Sequence, residues 1–476
     1  MIGLFKKKEQ NNKINLSNYF NWIKSLDKQK LELSNQDLDE RLSQSKLVYK
    51  FLKSEKGEKL LNSIFLEMKD IGFPEISSKI ELDLLIEIFS PETLNQIFFN
   101  PSNGFYKSNN NGVFKQTIKV NKNFGYVLAP KGIILVVGSS NTILPVITSI
   151  ILSYICGNVT VCQLSKLNKN IIKNFIDSIP SDCSHYVHYT NLDHHIPNDE
   201  KVLKELLVKV PWDVINVWGG EEANNFYYQN IAKNSHRPKI INMEPLTGIV
   251  IIQKSFLENN SEKVSKDLAR SITEMGQQLC SSPTEGFIIN DTNNDENDDV
   301  FFNKLVGYLE ELYIEFSDFE SNYFRLDRML TYAQDNNSKV YNSNKFGNKI
   351  SIISSDGKSV FSDINDNQNL SIHERRNFLE LIYTSNFEYL LELIKKINSK
   401  KTHEEIKKIQ TILVFGDKEF NTKVLKLAKN IGAYRVVDAN YIFERHPLEA
   451  LDGIHLVGEF TYQISIIGSI PYNHNI

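Results

Sequence analysis

The chain has 476 residues, of which 41% are hydrophobic and 24% are charged, and its formal net charge is −4. This composition is typical of a soluble globular protein with two or more domains, and the small negative charge gives no reason to expect a nucleic-acid partner. Four cysteines in a chain of this length exclude a disulfide framework, so we expect a reducing cytoplasm.

The N-terminal region contains no residues with evident chemistry. Residues 1–112 are predicted to form a mostly helical segment packed on the domain that comes next, because apolar residues recur at helical spacing, as in 60–68. At the start, three lysines come after a very short apolar stretch, which is the wrong order for a signal peptide. Residues 113–129 alternate weakly between apolar and polar residues and predict a β-hairpin flap.

Strands alternate with helices from residue 130 to 245. The strand 133–137 is apolar and β-branched, as expected for a strand buried in a parallel sheet. The apolar helix after it begins at Thr142, and it is too short and too interrupted by Pro145 to span a membrane. Further strands are predicted at 159–162, 186–188 and 214–217. This order predicts βαβ units in a nucleotide-binding domain.

A second α/β domain is predicted over residues 246–440, and it places Cys280 directly before an apolar strand. The segment 290–299 is acidic and rich in asparagine, and we expect a solvated loop because it lacks the glycine and terminal glutamate of an EF-hand calcium site. Residues 441–476 contain a strand of alternating apolar and polar residues. Such a strand pairs with another strand, either of this chain or of a second subunit.

Cys280 is the strongest candidate for a catalytic residue. It lies where a helix gives way to a strand, and a partly exposed thiol at such a position can be held as the reactive thiolate. Glu244 and the segment that ends at Asn141 lie upstream. Together the three features predict acyl transfer to sulfur, followed by hydride transfer from a nicotinamide.

The segment Gly138-Ser139-Ser140-Asn141 comes after a buried strand and opens a helix, which is where open α/β sheets bind ligands. It lacks the GxGxxG pattern, so the phosphate signal is weak. The sequence leaves two roles open for Asn141. It is either the helix N-cap or a side-chain donor to the oxyanion that forms when a thiolate attacks a carbonyl.

Two other strand ends are candidate cofactor contacts. The glycines of Trp218-Gly219-Gly220 would let a pyrophosphate approach the backbone, although the two glutamates after them would repel it, and a plain tight turn is the alternative. Ser165 and Lys166 come after the strand at which dinucleotide folds hold the ribose. A lysine there favours the 2′-phosphate of NADP, and an ordinary surface lysine is the alternative.

No metal site is predicted. His185 and His188 differ in parity on a predicted strand and therefore face opposite sides of the sheet. The sequence contains no CxxC or HExxH spacing.

At these residues the chain resembles the aldehyde dehydrogenase superfamily and, within it, the fatty acyl-CoA reductase family typified by the reductase subunit of bacterial luminescence. The resemblance covers about 114–465. It rests on a strand–Asn–helix–Asn–strand order with Asn141 and Asn158, on the Trp-Gly-Gly turn at 218–220, and on the segment 277–283 around the candidate nucleophile.

The resemblance implies an α/β fold with a Rossmann-like cofactor domain, an α/β catalytic domain and a β-flap for oligomerisation. It implies NADPH-dependent reduction of a long-chain fatty acyl thioester, carried by coenzyme A or an acyl carrier, to an aldehyde. Cys280 is then the nucleophile that forms an S-acyl intermediate, and Asn141 the oxyanion donor. A homo-oligomer, formed through the hairpin and the final strand, and an acyl-protein synthetase are the implied partners. The expected cofactor contacts are Gly138, Ser139, Ser140, Ser165, Lys166, Trp218, Gly219 and Gly220.

Three positions depart from the family pattern. Gln163 stands where the reductases have an arginine, and Lys166 is the nearest replacement for that cation. Glu285 replaces an arginine that is common in aldehyde dehydrogenases. Glu244 occupies the position of their general base, where these reductases often lack a glutamate. A base that activates water would hydrolyse the acyl-enzyme, so Glu244 is predicted to be a proton donor or a structural group.

Two other functions stay open from the sequence. One is NAD(P)-dependent oxidation of an aldehyde, with Glu244 as the hydrolytic base. The other is a non-redox acyl-carrying or interaction subunit of the same fold, which the missing cation at Gln163 favours.

Overall fold

A computed structural model of the chain describes residues 16–99, 106–107, 114–115, 117–119, 124–139, 142–243, 246–277, 279–291, 298–313, 329–330, 333–334, 338–355, 377–392, 408–438, 441–442, 444, 446 and 449–467. The chain divides into two compact units. The first comprises Met1–Ile71, Ser78–Glu244 and His446–Ile476, and the second comprises Gly72–Ser77 and Pro245–Arg445. The C-terminal segment therefore belongs to the same unit as the N-terminal one.

Helices occupy most of the N-terminal part. They are α1 (Leu16–Ser34), α2 (Leu38–Leu52), α3 (Glu55–Asp70), α4 (Glu75–Ile88) and α5 (Pro91–Phe99). Their apolar stripes are buried, as Val48 of α2 and Ile64 of α3 illustrate. The buried guanidinium of Arg41 donates to the backbone carbonyl of Ile155 at 2.8 Å, which ties α2 to the α/β part of the first unit.

The α/β part of the first unit is a five-stranded parallel sheet. Its strands are β5 (Ile133–Val137), β6 (Val159–Gln163), β7 (Val187–Thr190), β8 (Val214–Trp218) and β9 (Lys239–Met243), in the order β7-β6-β5-β8-β9. The helices between and beside them are α6 (Leu144–Ile155), α7 (Lys169–Ser178), α8 (Ser181–Ser184), α9 (Pro197–Lys209) and α10 (Glu221–Ile231). The chain leaves β5 towards β6 and later returns to its other side as β8. The point between the carboxyl ends of β5 and β8 is therefore the topological switch point, and the predicted Rossmann-like fold is confirmed.

Antiparallel strands form the flap. They are β1 (Tyr106–Lys107) with β2 (Phe114–Lys115), and β3 (Thr117–Lys119) with β4 (Phe124–Pro130) and β17 (Thr461–Ile467), the last three in the order β17-β4-β3. Of the two pairings that the sequence leaves open for the final strand, the structure has the one within the chain.

Asn158 connects the flap to the parallel sheet. Its buried side chain accepts a hydrogen bond from the backbone N–H of Gly132 at 2.7 Å and donates to the carbonyl of Phe460 at 3.0 Å. Tyr462 and Ile464 of β17 are each almost half exposed, at 44% and 45%, so β17 has an open apolar face.

The second unit contains a seven-stranded sheet in the order β12-β13-β14-β11-β10-β15-β16, in which β12 alone is antiparallel to its neighbour. Its strands are β10 (Leu246–Gln253), β11 (Pro283–Ile289), β12 (Ser338–Ser343), β13 (Gly347–Ser355), β14 (Phe378–Thr384), β15 (Lys408–Phe415) and β16 (Arg435–Asp438). The helices are α11 (Lys254–Thr273), α12 (Asp299–Glu311) and α13 (Lys418–Ile431), with a 3₁₀ turn at Glu274–Gln277, and α14 (Leu456–Glu459) precedes β17 in the first unit. Separate apolar clusters cover the two faces of the sheet.

Among the described residues, no helix combines the length and the apolar character needed to cross a bilayer. Most of the expected loop at 290–299 lies outside the described residues.

Candidate active site

Cys280 lies in a turn at the amino end of β11. The backbone N–H of Ser282 donates to the carbonyl of Leu279 at 3.0 Å, which closes the turn around the cysteine. The Cys280 side chain is half-buried. The position between a helix and a strand, which the sequence indicates for this residue, is therefore present in the structure.

The other three cysteines are buried. Burial raises the pKa of the Cys156 thiol to about 12. It raises the pKa of the Cys183 thiol to about 12 as well, and the pKa of the Cys162 thiol in the same direction. Of the four cysteines, Cys280 alone offers a thiol that a dissolved reagent can reach.

Gln277 holds both ends of the turn that contains Cys280. Its backbone φ of 59° lies in the left-handed region, which is uncommon for a residue other than glycine. Its fully buried side-chain amide donates to the carbonyls of Pro283 at 2.9 Å and Phe378 at 2.6 Å, and it accepts from the N–H of Phe378 at 3.1 Å. These bonds fix the entry and the exit of the turn against β14.

Gly248 of β10 lets the backbone of the turn come close to the sheet. A Cβ atom at this position would lie 2.5 Å from the carbonyl oxygens of both Ser281 and Ser282. Since those atoms are backbone and cannot move aside cheaply, a side chain at this position would displace the turn.

Gln410 of β15 is the residue that sequence reasoning missed. Its Nε2 donates to the Sγ of Cys280 at 2.9 Å, and its Oε1 accepts from the Oγ1 of Thr411 at 3.0 Å. The Gln410 side chain is 2% exposed. A primary amide thus donates to the predicted nucleophile from inside the sheet.

Gln410 stands in a β-bulge. Thr247 pairs with Ile409, and the next residue, Gly248, pairs with Thr411. Gln410 is therefore the extra residue of β15. The signal in the sequence is a Gln-Thr pair inside the otherwise apolar strand, and period-2 reasoning alone gives no reason to single it out.

The first unit brings the predicted glycines to the switch point of its sheet. Gly138 comes directly after β5, and Gly219 and Gly220 come after β8, the neighbouring strand. The Gly138 N–H donates to the carbonyl of Gln163 at 2.9 Å, and a Cβ at Gly138 would lie 3.2 Å from that oxygen. Around Gly220, a Cβ would have no neighbour within 4 Å. The space beside Gly220 is therefore free of protein atoms.

Three of the expected cofactor contacts make hydrogen bonds inside the unit. Ser139 Oγ donates to the carbonyl of Thr142 at 3.0 Å, and Ser165 Oγ donates to the Oδ1 of Asn168 at 2.6 Å. The indole of Trp218 is buried and donates to Ser149 Oγ at 2.8 Å. These side chains therefore hydrogen bond within the unit, and their contact with a cofactor stays a prediction.

The position that lacks the family's cation is buried. Gln163 is 4% exposed, and its amide donates to the carbonyl of Leu192. Lys166, three residues later, is exposed. The Gln163 side chain is therefore used inside the protein, and Lys166 offers a cation to solvent close by.

Asn141, Ser140 and Glu244 lie outside the described residues, so their predicted roles stay predictions. The residues that flank the first two are firmly held on one side by Asn168, whose Nδ2 donates to the carbonyl of Ser139 at 2.7 Å.

On the other side, the carboxylate of Glu81 in α4 accepts from the N–H of Ile143 at 3.2 Å and from the hydroxyl of Thr142. Burial raises the pKa of Glu81 to about 8. At neutral pH the group is therefore mostly protonated, and it acts on the loop through these hydrogen bonds.

Of the two histidines weighed on the predicted strand, His188 lies in β7 and His185 lies outside it. His185 ends α8 and precedes β7, so the alternation argument does not apply to it. The ring of His188 contacts Gln29 Oε1 at 2.6 Å, and burial lowers the pKa of His188 to about 4. The side chains of Asp193, His194 and His195 meet on a surface turn, with their ligand atoms within 4.8 Å of one another.

Comparison with known proteins gives one family. The family model described as acyl-CoA reductase (LuxC) matches residues 116–463. None of the curated proteins matches the chain.

Solved structures match over nearly the whole chain at low identity. Succinic semialdehyde dehydrogenase from Streptococcus pyogenes, in complex with NADP+, has a TM-score of 0.68 and 14% identity, covering 98% of this chain and 97% of that one. Aldehyde dehydrogenase C from Pseudomonas syringae, a mutant in complex with NAD+ and octanal, has a TM-score of 0.67 and 13% identity, covering 96% and 90%. Glyceraldehyde-3-phosphate dehydrogenase GapN from Methanocaldococcus jannaschii, complexed with NADP, has a TM-score of 0.64 and 16% identity, covering 96% and 95%. The fold of the chain is that of the aldehyde dehydrogenases.

Proposed function

The chain belongs to the acyl-CoA reductase (LuxC) family, and from this premise we propose that it reduces a long-chain fatty acyl thioester to an aldehyde with NADPH, through an S-acyl intermediate on Cys280. The observation that carries the proposal is the Cys280 thiol itself. It is half-buried where the other three cysteines are buried, and it accepts a hydrogen bond from Gln410.

The first step is acyl transfer to the protein. The Cys280 thiolate attacks the carbonyl carbon of the thioester, a new carbon–sulfur bond forms, and the carrier thiolate leaves with the electron pair of the old one. The side-chain amide of Asn141 and the backbone N–H of Cys280 donate to the oxyanion. The hydrogen bonds from Glu81 and Asn168 to the residues beside Asn141 support this role, because a donor acts only when its loop is held.

The second step is reduction of the acyl group. NADPH, when bound, supplies the hydride to the acyl carbon. The residues that would hold it are the backbone groups of Gly138, Gly219 and Gly220 and the exposed ammonium of Lys166, which suits a 2′-phosphate. They fit a dinucleotide because they lie at the switch point and the space beside Gly220 is free of protein atoms. The thiohemiacetal then collapses, the carbon–sulfur bond breaks, and the Cys280 thiolate is regenerated.

Glu244 is proposed as a proton donor or structural group, since a hydrolytic base would destroy the acyl-enzyme. An acyl-protein synthetase is the proposed source of acyl groups, and the reducing cytoplasm the proposed compartment. The exposed Tyr462 and Ile464 on β17 support assembly into a homo-oligomer.

The test is intact-protein mass spectrometry after incubation with acyl-CoAs of graded chain length. We expect a single acyl adduct on the wild-type chain, lost on addition of NADPH with release of the aldehyde, and no adduct on Cys280→Ala. Reduction of acyl-CoA by Cys280→Ala at the wild-type rate would contradict the mechanism. Aldehyde oxidation with NAD(P)+ that needs no thiol acceptor would instead favour a dehydrogenase with Glu244 as base.

A further inference from the structure

We propose that Gln410 is a catalytic residue, whose side-chain amide donates to the Cys280 sulfur and stabilises the thiolate both when it attacks and when it is released. The inference rests on the proposed function in one respect, namely that Cys280 is the nucleophile. Both residues lie in the second unit.

The orientation of the Gln410 amide supports this role. The hydroxyl of Thr411, itself fully buried, donates to Gln410 Oε1 at 3.0 Å, and Gln410 Nε2 donates to the sulfur at 2.9 Å. A thiolate has no proton to donate and can only accept, so an N–H is the group that it requires. A hydrogen bond to an ionised acceptor is also stronger than one to a neutral acceptor, and the Gln410 bond therefore favours the thiolate over the thiol.

The bulge also supports this role, because it changes which way β15 presents its side chains. Ile412 and Val414 pack into one apolar cluster, as alternation predicts, and Ile409 packs into the same cluster although it stands three residues before Ile412. The extra residue is Gln410. Bulges interrupt a ladder of hydrogen bonds and are frequent beside active sites, where they re-aim a side chain.

The bulge coincides with the close approach of the turn. The pairing of β10 with β11, on the other edge of β10, also shifts register at this place. Gly248 pairs with Pro283, and the next residue, Ile249, pairs with Glu285. Gly248 is thus flanked by irregular pairing on both sides, at the place where its missing side chain admits the turn that bears Cys280. The irregular pairing and the missing side chain at Gly248 thus coincide with the hydrogen bond between the Gln410 amide and the Cys280 sulfur.

The amide moves no proton in this role. During acylation it stabilises the attacking sulfur anion, and during collapse of the thiohemiacetal it stabilises the sulfur that takes back the electron pair of the broken carbon–sulfur bond. Gln410 is neutral throughout, so it adds no atom, proton or electron to either step.

The test measures the rate of iodoacetamide alkylation against pH, with Cys280→Ala as the background. In Gln410→Leu we expect the midpoint of the profile to move to higher pH by about one unit. The reason is that the Cys280 thiolate, an ionised acceptor, loses the hydrogen bond that Gln410 donates to it. At neutral pH the alkylation rate should fall by about three- to fourfold, since a tenfold loss of thiolate is partly offset by the greater nucleophilicity of a more basic sulfur.

Thr411→Val should move the midpoint in the same direction by less, because it frees the amide to rotate. Gln253→Leu is the matched control. Gln253 is another buried glutamine, at the far end of β10, whose Nε2 donates to Asp291 Oδ2 at 2.7 Å, and its loss should leave the midpoint in place. If Gln410→Leu does not fold, Gln410→Met and Thr411→Val provide the same measurement.

An unchanged midpoint in the Gln410 and Thr411 variants overturns the inference. So does an equal shift in Gln253→Leu, since the effect would then be general loosening of the sheet. Acylation of the wild-type chain by acyl-CoA is scored separately. If acylation fails and the midpoint moves, the proposed function is wrong and the link between Gln410 and the thiol stands. If acylation succeeds and the midpoint does not move, the proposed function stands and the inference about Gln410 is wrong.

Discussion

The two units place their candidate chemistry at opposite ends of the strands in their own sheets. In the first unit Gly138 and Gly219 come after the carboxyl ends of β5 and β8. In the second unit Cys280 precedes the amino end of β11. Carboxyl ends of parallel strands gain a ligand site from topology, because helices begin there and their N–H groups point outward. The amino end of a strand has no helix N-terminus beside it, so side chains such as those of Gln277 and Gln410 form the surroundings of Cys280.

The supports of the two loops also differ in whether they can titrate. The loop after β5 is held by the carboxyl group of Glu81 together with the amide of Asn168. The turn around Cys280 is held by the neutral amide of Gln277 and by the close approach at Gly248. Each support can be removed separately, so the difference between the two loops can be tested.

The largest effect is expected from Asn141→Ala. Loss of one oxyanion donor should slow acylation of Cys280 by about a hundredfold or more, as measured by the rate of adduct formation with acyl-CoA. Alkylation by iodoacetamide forms no oxyanion and should keep its rate. Equal loss of both rates would mean that the loop after β5 acts on the thiol itself, and the division of roles between the loops would then be wrong.

A smaller effect is expected from Gly248→Ala, which adds a Cβ atom 2.5 Å from two backbone carbonyl oxygens. We expect the free energy of unfolding to fall by about 1–3 kcal/mol, as in other overpacked sites, with a lower alkylation rate of Cys280. Gly307→Ala in α12 is the control, since no atom lies within 4 Å of its Cβ, and it should leave stability equal or slightly higher. Urea unfolding monitors both, and equal stability of the two variants would mean that Gly248 does not support the turn.

The smallest effect is a pH dependence that only the first unit should show. Burial raises the pKa of Glu81 from 4.5 to about 8, so the folded state holds a proton that the unfolded state has lost at neutral pH. The stabilisation from Glu81 is complete below pH 4.5 and is lost as the pH rises through 8. Wild-type stability should therefore fall between pH 7 and pH 9 relative to Glu81→Gln.

Urea unfolding at those two pH values measures this slope. Burial lowers the pKa of His188 to about 4, and because His188 is present in both proteins its titration cancels in the comparison. A wild-type slope equal to that of Glu81→Gln would show that Glu81 does not titrate in this range.

Sequence reasoning could predict the features that local order along the chain determines. The run 133–137 and the Gly138 after it predicted both a buried strand and a ligand-binding edge, because each signal lies within a few consecutive residues. The position of Cys280 between a helix and a strand was predicted in the same way. Gln410 was not, because its meaning depends on the register between β10 and β15, and register is a property of paired strands.

The side chains of Ser139 and Ser165 show what such local signals leave out. Their positions at strand ends predict contact with a cofactor, which stays a prediction, and the sequence did not reveal that both hydroxyls also hydrogen bond to neighbouring residues of the same unit. A motif locates a residue on a sheet edge, but whether a hydroxyl faces outward depends on partners such as Asn168, which the motif does not contain.

The pairing of β17 with β4 has a consequence for synthesis of the chain on the ribosome. Phe460 and β17 complete the first unit. In the sequence they come after all seven strands of the second unit, which follow β9. Until translation reaches β17, β4 keeps one unpaired edge and Asn158 lacks the carbonyl to which it donates. The unit that begins first is thus finished last. A stalled or truncated chain would carry an open strand edge of the kind that recruits other chains into aggregates.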